Sequence, residues 1–425
     1  MSVEHAAPVT RAWVLYPDIK SNRNKRDALR ALDEAIALAV ALPGLEVVGS
    51  ETVPLAKLRT GFLFGSGKIK ELGQRFEAAD VDLVLVDGAV TPVQQRNLEK
   101  AWKVKLLDRT GLILEIFSDR AQTREGVLQV EMAALSYQRT RLVRAWTHLE
   151  RQRGGLGFVG GPGETQIEAD RRAIDNQIAR LRKQLGKVVK TRNLHRAARA
   201  RVPYPVVALV GYTNAGKSTL FNRLSGAEVM AEDMLFATLD PTMRAVSLPS
   251  GSDMILSDTV GFISDLPTQL VAAFRATLEE VLGADLILHV RDISHPETEQ
   301  QARDVQDILT ELGVDETIPR FELWNKIDQL PAEQRSACET QAARLEDCYA
   351  LSALSGDGVE VLLLAISRAL ADPKTEEFIV LPYAEGRKRS WLYEQDVVIA
   401  EDSTDAGIRL RLRWTARQAK AFRAL

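Results

Sequence analysis

VPYPVVALVGYTNAGKSTLFNRLSG, the stretch Val202–Gly226, decides the fold. It opens on a short apolar run of strand length, Val206–Val210, and closes on residues with the apolar spacing of a helix. Between the two, Gly211–Ser218 fits the pattern G-x-x-x-x-G-K-[ST] of phosphate-binding loops. Consecutive backbone amides of such a loop surround phosphate oxygens, and the N-terminus of the following helix adds its dipole. The stretch therefore predicts a nucleotide-binding α/β domain in which Lys217 reaches the phosphates.

A second motif, FELWNKID at residues 321–328, selects the base. The carboxylate of Asp328 can accept hydrogen bonds from N1–H and from the exocyclic amine of guanine. Adenine offers no such donor pair and would leave the carboxylate desolvated and unpaired. The aliphatic stem of Lys326 can cover the purine face, and the backbone amide of Ala353, in LSALSGDG, can meet the guanine carbonyl oxygen. Together with the phosphate loop, this motif predicts GTP as the ligand.

The stretch ILSDTVGFISDLP, residues 255–267, supplies the metal and γ-phosphate contacts. Asp258 ends an apolar strand and is suited to hold Mg²⁺ through a water molecule. Ser218 of the phosphate loop can ligate the same ion directly. The backbone amide of Gly261 can sense the γ-phosphate, which makes DTVG the start of a second switch segment.

Phe262 follows at the position where the best-understood GTP-hydrolysing switches carry a glutamine that orients the attacking water. A phenylalanine side chain neither donates nor accepts a hydrogen bond. We expect it to turn away from the phosphates and to pack against apolar residues. The water must then be placed by the backbone, by another residue or by a partner, so we expect slow intrinsic hydrolysis that a partner accelerates.

The first switch segment is MLFATLDPTMRA, residues 234–245, between the phosphate loop and Asp258. Thr238 and Thr242 could each ligate Mg²⁺ in the GTP state, and the residues alone do not choose between them. Asn214 in the phosphate loop could also have either of two roles. It can help to hold a K⁺ ion that assists hydrolysis, or it can simply stabilise the turn.

Composition bounds the class of protein. The 425 residues are 45% apolar and 27% charged, and no apolar run approaches the roughly 18–20 residues that cross a bilayer. We expect no signal peptide, and we expect Cys338 and Cys348 to be reduced thiols. The net charge of −3 is uneven, because residues 141–201 carry fifteen Lys or Arg and five Asp or Glu, a local charge of +10. Such a segment is a candidate polyanion surface, although a solvated helix face has the same composition.

Two apolar heptad patterns flank a glycine-rich loop in this part of the chain. Their members are Leu128, Met132, Leu135, Leu142, Trp146 and Leu149, then Ile174, Ile178, Leu181, Leu185 and Val188. Arg139 fills the missing slot of the first pattern. Six of the ten residues Gly154–Gly163 are glycine, so the patterns predict an antiparallel coiled-coil hairpin with this loop at its tip. Its first arm, 22 residues, should be roughly 33 Å long. The hairpin is either a plain helical spacer or an arm for insertion into something large and anionic.

The two flanking regions are simpler. AWVLYPD and VDLVLVDG predict buried strands near the amino terminus, and KRDALRALDEAIALAVAL and TPVQQRNLEKAWK predict helices, the second capped by Thr91 with Pro92 at its first position. GFLFGSGKIK, residues 61–70, imitates a phosphate loop, but its spacing is one residue too long and Ile69 replaces the required Ser or Thr. We read it as a turn. FIVLPY, QDVVIA and IRLRLRW predict strands of a small carboxyl-terminal unit.

The predicted fold class is therefore α/β. A P-loop GTPase domain is preceded by an α/β N-terminal domain and an antiparallel helical hairpin, and is followed by a small α+β domain. The predicted boundaries are 1–120 for the N-terminal domain, 121–201 for the hairpin, 202–372 for the GTPase domain and 373–425 for the carboxyl-terminal domain.

These segments resemble the HflX family of bacterial GTPases, on the Obg–HflX branch. The motifs GYTNAGKSTLFN, LFATLDPT, DTVGFI and NKID match its GTPase domain, and DRTGLILEIF, LVRAWTHLERQRGG, GPGETQIEADRR and EGRKRSWLYE match its other segments. The tip, GGLGFVGGPG, is one residue longer than the commoner pattern. The resemblance implies a cytoplasmic GTPase that contacts RNA of the large ribosomal subunit and helps to split or rescue ribosomes under stress. It also implies that Thr238, not Thr242, is the magnesium ligand.

The resulting site prediction has three parts. Lys217 and Gly261 act in catalysis, and Ser218, Thr238 and, through water, Asp258 hold Mg²⁺. The GTP contacts are Gly211, Tyr212, Thr213, Asn214, Ala215, Gly216, Lys217, Ser218, Phe236, Ala237, Thr238, Leu239, Asp240, Asp258, Thr259, Val260, Gly261, Asn325, Lys326, Ile327, Asp328, Ser352, Ala353 and Leu354.

Mg²⁺ is the expected cofactor, with K⁺ as a further candidate. The expected partners are GTP or GDP and the large ribosomal subunit with its RNA, with no DNA and no integral membrane association, and we expect a monomer. Two other functions fit the residues: a GTP-gated regulator of a protein or membrane partner, with the hairpin as a docking spacer, and a GTPase that assists RNA modification.

Overall fold

The structure, a computed structural model, describes residues 9–20, 26–57, 59–152, 162–199, 204–227, 234–239, 241–266, 279–315, 317–371, 375–404 and 407–423. In this part of the chain no helix is long and apolar enough to span a membrane. Three sheets and one pair of long helices organise the described residues. The α/β class predicted from the sequence is confirmed, while the four domain boundaries stay predictions.

The first sheet is parallel and four-stranded, in the order β2-β1-β3-β4. Its strands and helices are β1 (Thr10–Ile19), α1 (Ala28–Val40), β2 (Leu45–Leu55), α2 (Ser66–Ala78), β3 (Leu83–Val86), α3 (Pro92–Trp102), β4 (Lys105–Asp108) and α4 (Arg109–Arg120). The predicted cap of α3 is confirmed, because Thr91 and Gln94 form a reciprocal capping box and Pro92 opens the helix. The turn predicted for residues 61–70 is wrong from Ser66 onward, where α2 begins. Lys68 lies on this helix and pairs with Glu51 and Glu71, not with a phosphate.

Two long helices follow, α5 (Arg124–Gln152) and α6 (Pro162–Arg199). They run antiparallel. Arg139 pairs with Asp175 at 3.0 Å, while residues nearer the start of α5 share a groove with residues 177–184 of α6. Leu128 and Leu181 are buried, but Arg139 is exposed, so the heptad position it fills is an ion pair at the surface. The first arm is longer than the predicted 22 residues, at 29 residues or roughly 44 Å. Most of the predicted tip, residues 154–161 of 154–163, lies outside the described residues.

The second sheet has six strands in the order β10-β9-β8-β5-β7-β6. It comprises β5 (Val206–Gly211), α7 (Lys217–Ser225), β6 (Thr242–Ser247), β7 (Asp253–Asp258), α8 (Glu279–Leu282), β8 (Leu286–Asp292), α9 (Thr298–Glu311), β9 (Arg320–Asn325), α10 (Ala332–Ala342), β10 (Cys348–Ala350) and α11 (Val359–Ala369). All neighbouring strands are parallel except the edge pair β6 and β7. The carboxyl ends of β5, β7 and β9 therefore meet at one edge, where ligands bind in such sheets.

The third sheet is antiparallel, in the order β11-β13-β12. Its elements are β11 (Thr375–Leu381), α12 (Gly386–Glu394), β12 (Val398–Thr404), β13 (Gly407–Trp414) and α13 (Ala416–Arg423). The three strands predicted for the carboxyl-terminal unit are confirmed.

The first and second sheets share one apolar cluster, and each sheet also has a cluster of its own. One apolar cluster joins Ile113, Ile116 and Phe117 of α4 with Phe236 and Phe262 of the phosphate-loop unit. The rings of Phe117 and Phe236 meet edge to face, with centroids 4.7 Å apart. The N-terminal unit is therefore packed directly against the segments that the sequence identifies as the two switches.

Candidate nucleotide site

The phosphate loop has a backbone that its glycines make possible. Gly216 has φ +91°, and a Cβ there would lie 2.3 Å from Nδ2 of Asn325. Asn214 also has positive φ, at 58°, which a turn-forming asparagine tolerates. The loop therefore folds as a tight turn between β5 and α7, with Asn325 of the base motif held against it.

Lys217 is buried and faces back along this loop. Its Nζ donates to the carbonyl oxygens of Gly211 at 3.1 Å and of Tyr212 at 2.7 Å. Burial lowers the pKa of Lys217 to about 8, although the carboxylate of Asp258 acts in the opposite direction. A phosphate group arriving beside this ammonium would favour its charged form.

The three predicted metal residues come together. The hydroxyls of Ser218 and Thr238 are 2.8 Å apart, and both donate to Oδ2 of Asp258, at 2.7 and 3.0 Å respectively. Asp258 is fully buried, and burial raises the pKa of its carboxyl group. Its second oxygen, Oδ1, has no hydrogen-bond partner within the described ranges. Two hydroxyls and an unsatisfied buried carboxylate oxygen are ligands that Mg²⁺ prefers, so the residues fit the expected ion.

Thr242 has a different position. It pairs with Asp258 across the β6–β7 ladder, but the hydroxyl that meets the Asp258 carboxylate is that of Thr238. The geometry thus favours the choice between the two threonines that the family resemblance implied.

Gly261 lies against both the phosphate loop and Lys217. A Cβ on Gly261 would lie 2.8 Å from Cγ2 of Thr213 and 3.1 Å from Nζ of Lys217, so a side chain does not fit. Phe262 is held by its backbone, since its amide donates to Gly211 and its carbonyl accepts from Thr213, at 3.1 and 2.7 Å. Its side chain is 1% exposed and belongs to the apolar cluster shared with α4. The expectation that Phe262 packs against apolar residues is confirmed.

Asn325 connects the phosphate loop to the base-binding loops. Its Nδ2 donates to the carbonyl of Ala215, and its Oδ1 accepts from the amide of Ala353, both at 2.8 Å. The Ala353 amide expected to meet guanine is therefore already bonded here, and a guanine carbonyl would have to share or replace this bond. Lys326 adopts φ +67° and pairs with Asp292 at 2.8 Å, while Asp328 is exposed at the rim.

Most of the predicted GTP contacts fall into three groups: residues that line the cleft, residues that are buried in the protein and one residue that is exposed. Around one cleft lie Thr213, Asn214, Gly216, Lys217, Ser218, Phe236, Ala237, Thr238, Thr259 and Gly261, joined by the unpredicted Thr219 and Met234. Tyr212, Leu239, Val260, Ile327 and Ser352 are buried in the protein, whereas Leu354 is exposed. Asp240 lies outside the described residues.

Besides Thr219 and Met234, sequence reasoning missed two residues that hold the loops of the site. Arg223 of α7 donates from Nε to the carbonyl of Ala353 at 2.5 Å and from Nη2 to that of Leu354, which fixes this loop. Asp292, at the end of β8, holds Lys326. A signal for Asp292 existed, because it ends an apolar strand at the same sheet edge as Asp258.

Comparison with protein families matches four successive segments of the chain. The matching models are described as "GTP-binding GTPase N-terminal" for residues 30–118, "GTP-binding GTPase Middle Region" for 120–199, "50S ribosome-binding GTPase" for 206–326 and "HflX C-terminal domain" for 337–424.

Relatives named "GTPase HflX" match over most of their length. The protein from Magnetococcus marinus is 54% identical over 368 residues, which cover 86% of this chain and 83% of the relative. The protein from Escherichia coli is 42% identical over 382 residues, which cover 89% of this chain and 88% of the relative. The chain therefore belongs to the HflX family of P-loop GTPases, enzymes that hydrolyse GTP.

Proposed function

We propose that this protein binds the large ribosomal subunit in a nucleotide-dependent way and splits or rescues ribosomes under stress. The observation that carries the proposal is the α5–α6 hairpin, a long basic arm beside a GTPase domain whose family model is named for binding the 50S ribosome. Cytoplasmic location and a monomeric state belong to the same proposal.

The hairpin has the charge and reach that insertion into RNA requires. Its second helix is 38 residues, roughly 57 Å. All seven of its basic side chains within residues 168–190 face solvent: Arg171, Arg172, Arg180, Arg182, Lys183, Lys187 and Lys190. Lysine and arginine contacts to phosphates release counterions, so we expect binding to weaken steeply as salt rises.

The nucleotide site supports a Mg²⁺-dependent reaction. We assign Ser218 and Thr238 as direct ligands of Mg²⁺ and Asp258 as a ligand through water, while Lys217 and the Gly261 amide face the β- and γ-phosphates. When bound, the ion neutralises charge that develops on the phosphate oxygens. Base recognition falls to Asp328, with Asn325 holding its loop in place. A K⁺ ion near Asn214 would help to neutralise the charge on the phosphate oxygens. Comparing turnover in K⁺ and in Na⁺ tests whether such an ion takes part.

Hydrolysis by the isolated protein should be slow. Lys217 and the metal residues supply charge stabilisation, but Phe262 is buried away from the cleft and cannot orient water. We propose that the large subunit completes the site and accelerates the reaction.

Sedimentation with purified ribosomal subunits tests the proposal. The protein should pellet with the large subunit in the presence of a non-hydrolysable GTP analogue, and much less with GDP. Equal or absent co-sedimentation in both states would reject it in favour of a GTP-gated regulator of another partner. Deleting residues 154–163 should abolish subunit splitting and leave GTP binding intact. A deletion variant that splits ribosomes normally would show that the tip does not act by insertion.

A further inference from the structure

A buried ion cluster lies between the first sheet and the nucleotide site. Its centre is Arg109, the first residue of α4, which is 5% exposed. The guanidinium donates from Nη1 to Asp87 at 2.6 Å and from Nη2 to Glu34 at 2.7 Å. The same Nη2 donates to the backbone carbonyl of Ser264 at 2.8 Å. One side chain of the N-terminal unit thus holds the backbone of the second switch segment.

The phosphate loop holds Ser264 from the other side. The Ser264 amide donates to the hydroxyl oxygen of Tyr212 at 2.9 Å, and that hydroxyl donates to Glu34. The Ser264 hydroxyl bonds to Asp304 of α9. The amide, the carbonyl and the hydroxyl of Ser264 therefore each have a partner, and the partners come from three different parts of the chain.

The protonation states suit this arrangement. Burial would raise the pKa of Glu34, but Arg109 and Arg26 outweigh it and hold this pKa at about 2, so the carboxylate is charged. Burial and the charge of Glu34 raise the pKa of Tyr212, so its hydroxyl stays neutral and keeps its proton to donate. Both bonds persist across the physiological pH range.

The held segment contains the γ-phosphate contact. Gly261 stands three residues before Ser264 and lies close to Lys217. Phe262, between them, is bonded through its backbone to Gly211 and Thr213. Gly261 directly precedes the stretch that is anchored at both Phe262 and Ser264, so its backbone has little freedom to move relative to the phosphate loop.

We propose that Arg109 and Tyr212 are positioning residues for GTP hydrolysis. They fix the backbone of Ser264 and thereby hold the Gly261 amide where the γ-phosphate binds. The proposal rests on the role proposed above for Gly261. Arginine is needed because only its planar fork reaches two carboxylates and a carbonyl together, and lysine presents a single point charge.

The GTP and GDP complexes should respond differently. The role proposed for the Gly261 amide is a contact to the γ-phosphate, which GDP lacks. A loosened second switch should therefore weaken binding of the triphosphate and slow hydrolysis, while GDP binding depends on the unchanged loop and base motif. In Arg109→Lys and Tyr212→Phe we expect kcat and the affinity for a non-hydrolysable GTP analogue each to fall about tenfold, the usual effect of losing one hydrogen bond to a charged group. The GDP affinity should stay within about twofold. Because both side chains act through Ser264, the double variant should lose less than the product of the two single effects.

Arg291→Lys is the matched control. Arg291 is also a buried arginine held by two carboxylates, Glu322 and Glu299, and within the described ranges of the chain its ion pairs are with these two and not with a switch segment. Its replacement should leave kcat, the affinity for the GTP analogue and the affinity for GDP unchanged.

The measurements are nucleotide titrations, single-turnover hydrolysis without ribosomes and a thermal melt of each variant. Equal losses of GDP and analogue affinity, or a lowered Tm with unchanged kcat, would show that the cluster only fastens the two units together, and the proposal would be overturned. Tyr212→Phe removes one oxygen atom and decides the question even where Arg109→Lys fails to fold. Failure of ribosome binding would not affect these assays, so the two proposals can fail separately.

Discussion

Replacing Phe262 by alanine separates packing from catalysis at the position where a catalytic glutamine is absent. The side chain is 1% exposed within the core shared with α4. Truncating a buried phenylalanine costs about 3–5 kcal/mol, since the transfer free energy is lost and a cavity remains. Against a typical domain stability of about 5–15 kcal/mol this is a large loss. It should lower the urea midpoint by about 1–2 M at an m value of about 2–3 kcal/mol/M.

The intrinsic rate should barely change. The bonds that fix this residue to the phosphate loop are backbone bonds to Gly211 and Thr213, which the substitution keeps. Phe64→Ala is the matched control, because Phe64 is equally buried but lies in the core of the first sheet, away from the site. Urea unfolding and single-turnover hydrolysis at a temperature where both variants are folded give the comparison. If Phe262→Ala loses tenfold or more in basal rate while Phe64→Ala keeps its rate, Phe262 shapes the catalytic site directly and the reasoning is refuted.

Three further predictions concern the phosphate and metal residues. Gly216→Ala should lower GTP affinity about tenfold or more, because the new Cβ would strain the backbone and lie 2.3 Å from the Asn325 amide; wild-type affinity in a titration would contradict the tight turn. GDP affinity should fall as pH rises through about 8, because the Lys217 pKa is lowered to about 8 in the free protein and phosphate favours the charged form. Calorimetry at pH 8.5 in two buffers should then show proton uptake on binding, and no uptake would mean that Lys217 is already charged. Thr238→Ala should raise the Mg²⁺ concentration needed for half-maximal hydrolysis, whereas Thr242→Ala should leave it unchanged; the reverse order would exchange the two assignments.

The parts of the site that the sequence predicted are local in the chain. A strand, a loop and a helix in Val206–Ser225 bring their own phosphate contacts, so no long-range information is needed. Asp258 and Asn325 could be placed because each ends an apolar strand, and parallel strands end at one edge of a sheet. Arg223 was missed because its position on α7 reads as an ordinary polar helix face, and only the fold brings it to the Ala353 loop.

The cluster around Arg109 could not be predicted from the sequence either, because only the fold brings its residues together. Glu34 and Tyr212 are 178 residues apart, and Arg109 and Ser264 are 155 apart. No periodicity or motif spacing relates residues at such separations. The phosphate-loop pattern accepts any residue at position 212, so the tyrosine carries no signal until its neighbour from α1 is known.

The shared core also explains why position 262 is apolar. Docking of α4 encloses this side chain in a cluster of aliphatic and aromatic residues. A glutamine turned into that cluster would bury an unpaired amide, at a cost of about 1–3 kcal/mol. A glutamine turned toward the cleft would leave a cavity in the interface. The same interface brings Arg109 to Ser264, two residues further along the chain. The absent glutamine and the anchored switch therefore have one structural cause: the N-terminal unit occupies the face of the second switch segment that a free-standing GTPase leaves available for its catalytic side chain.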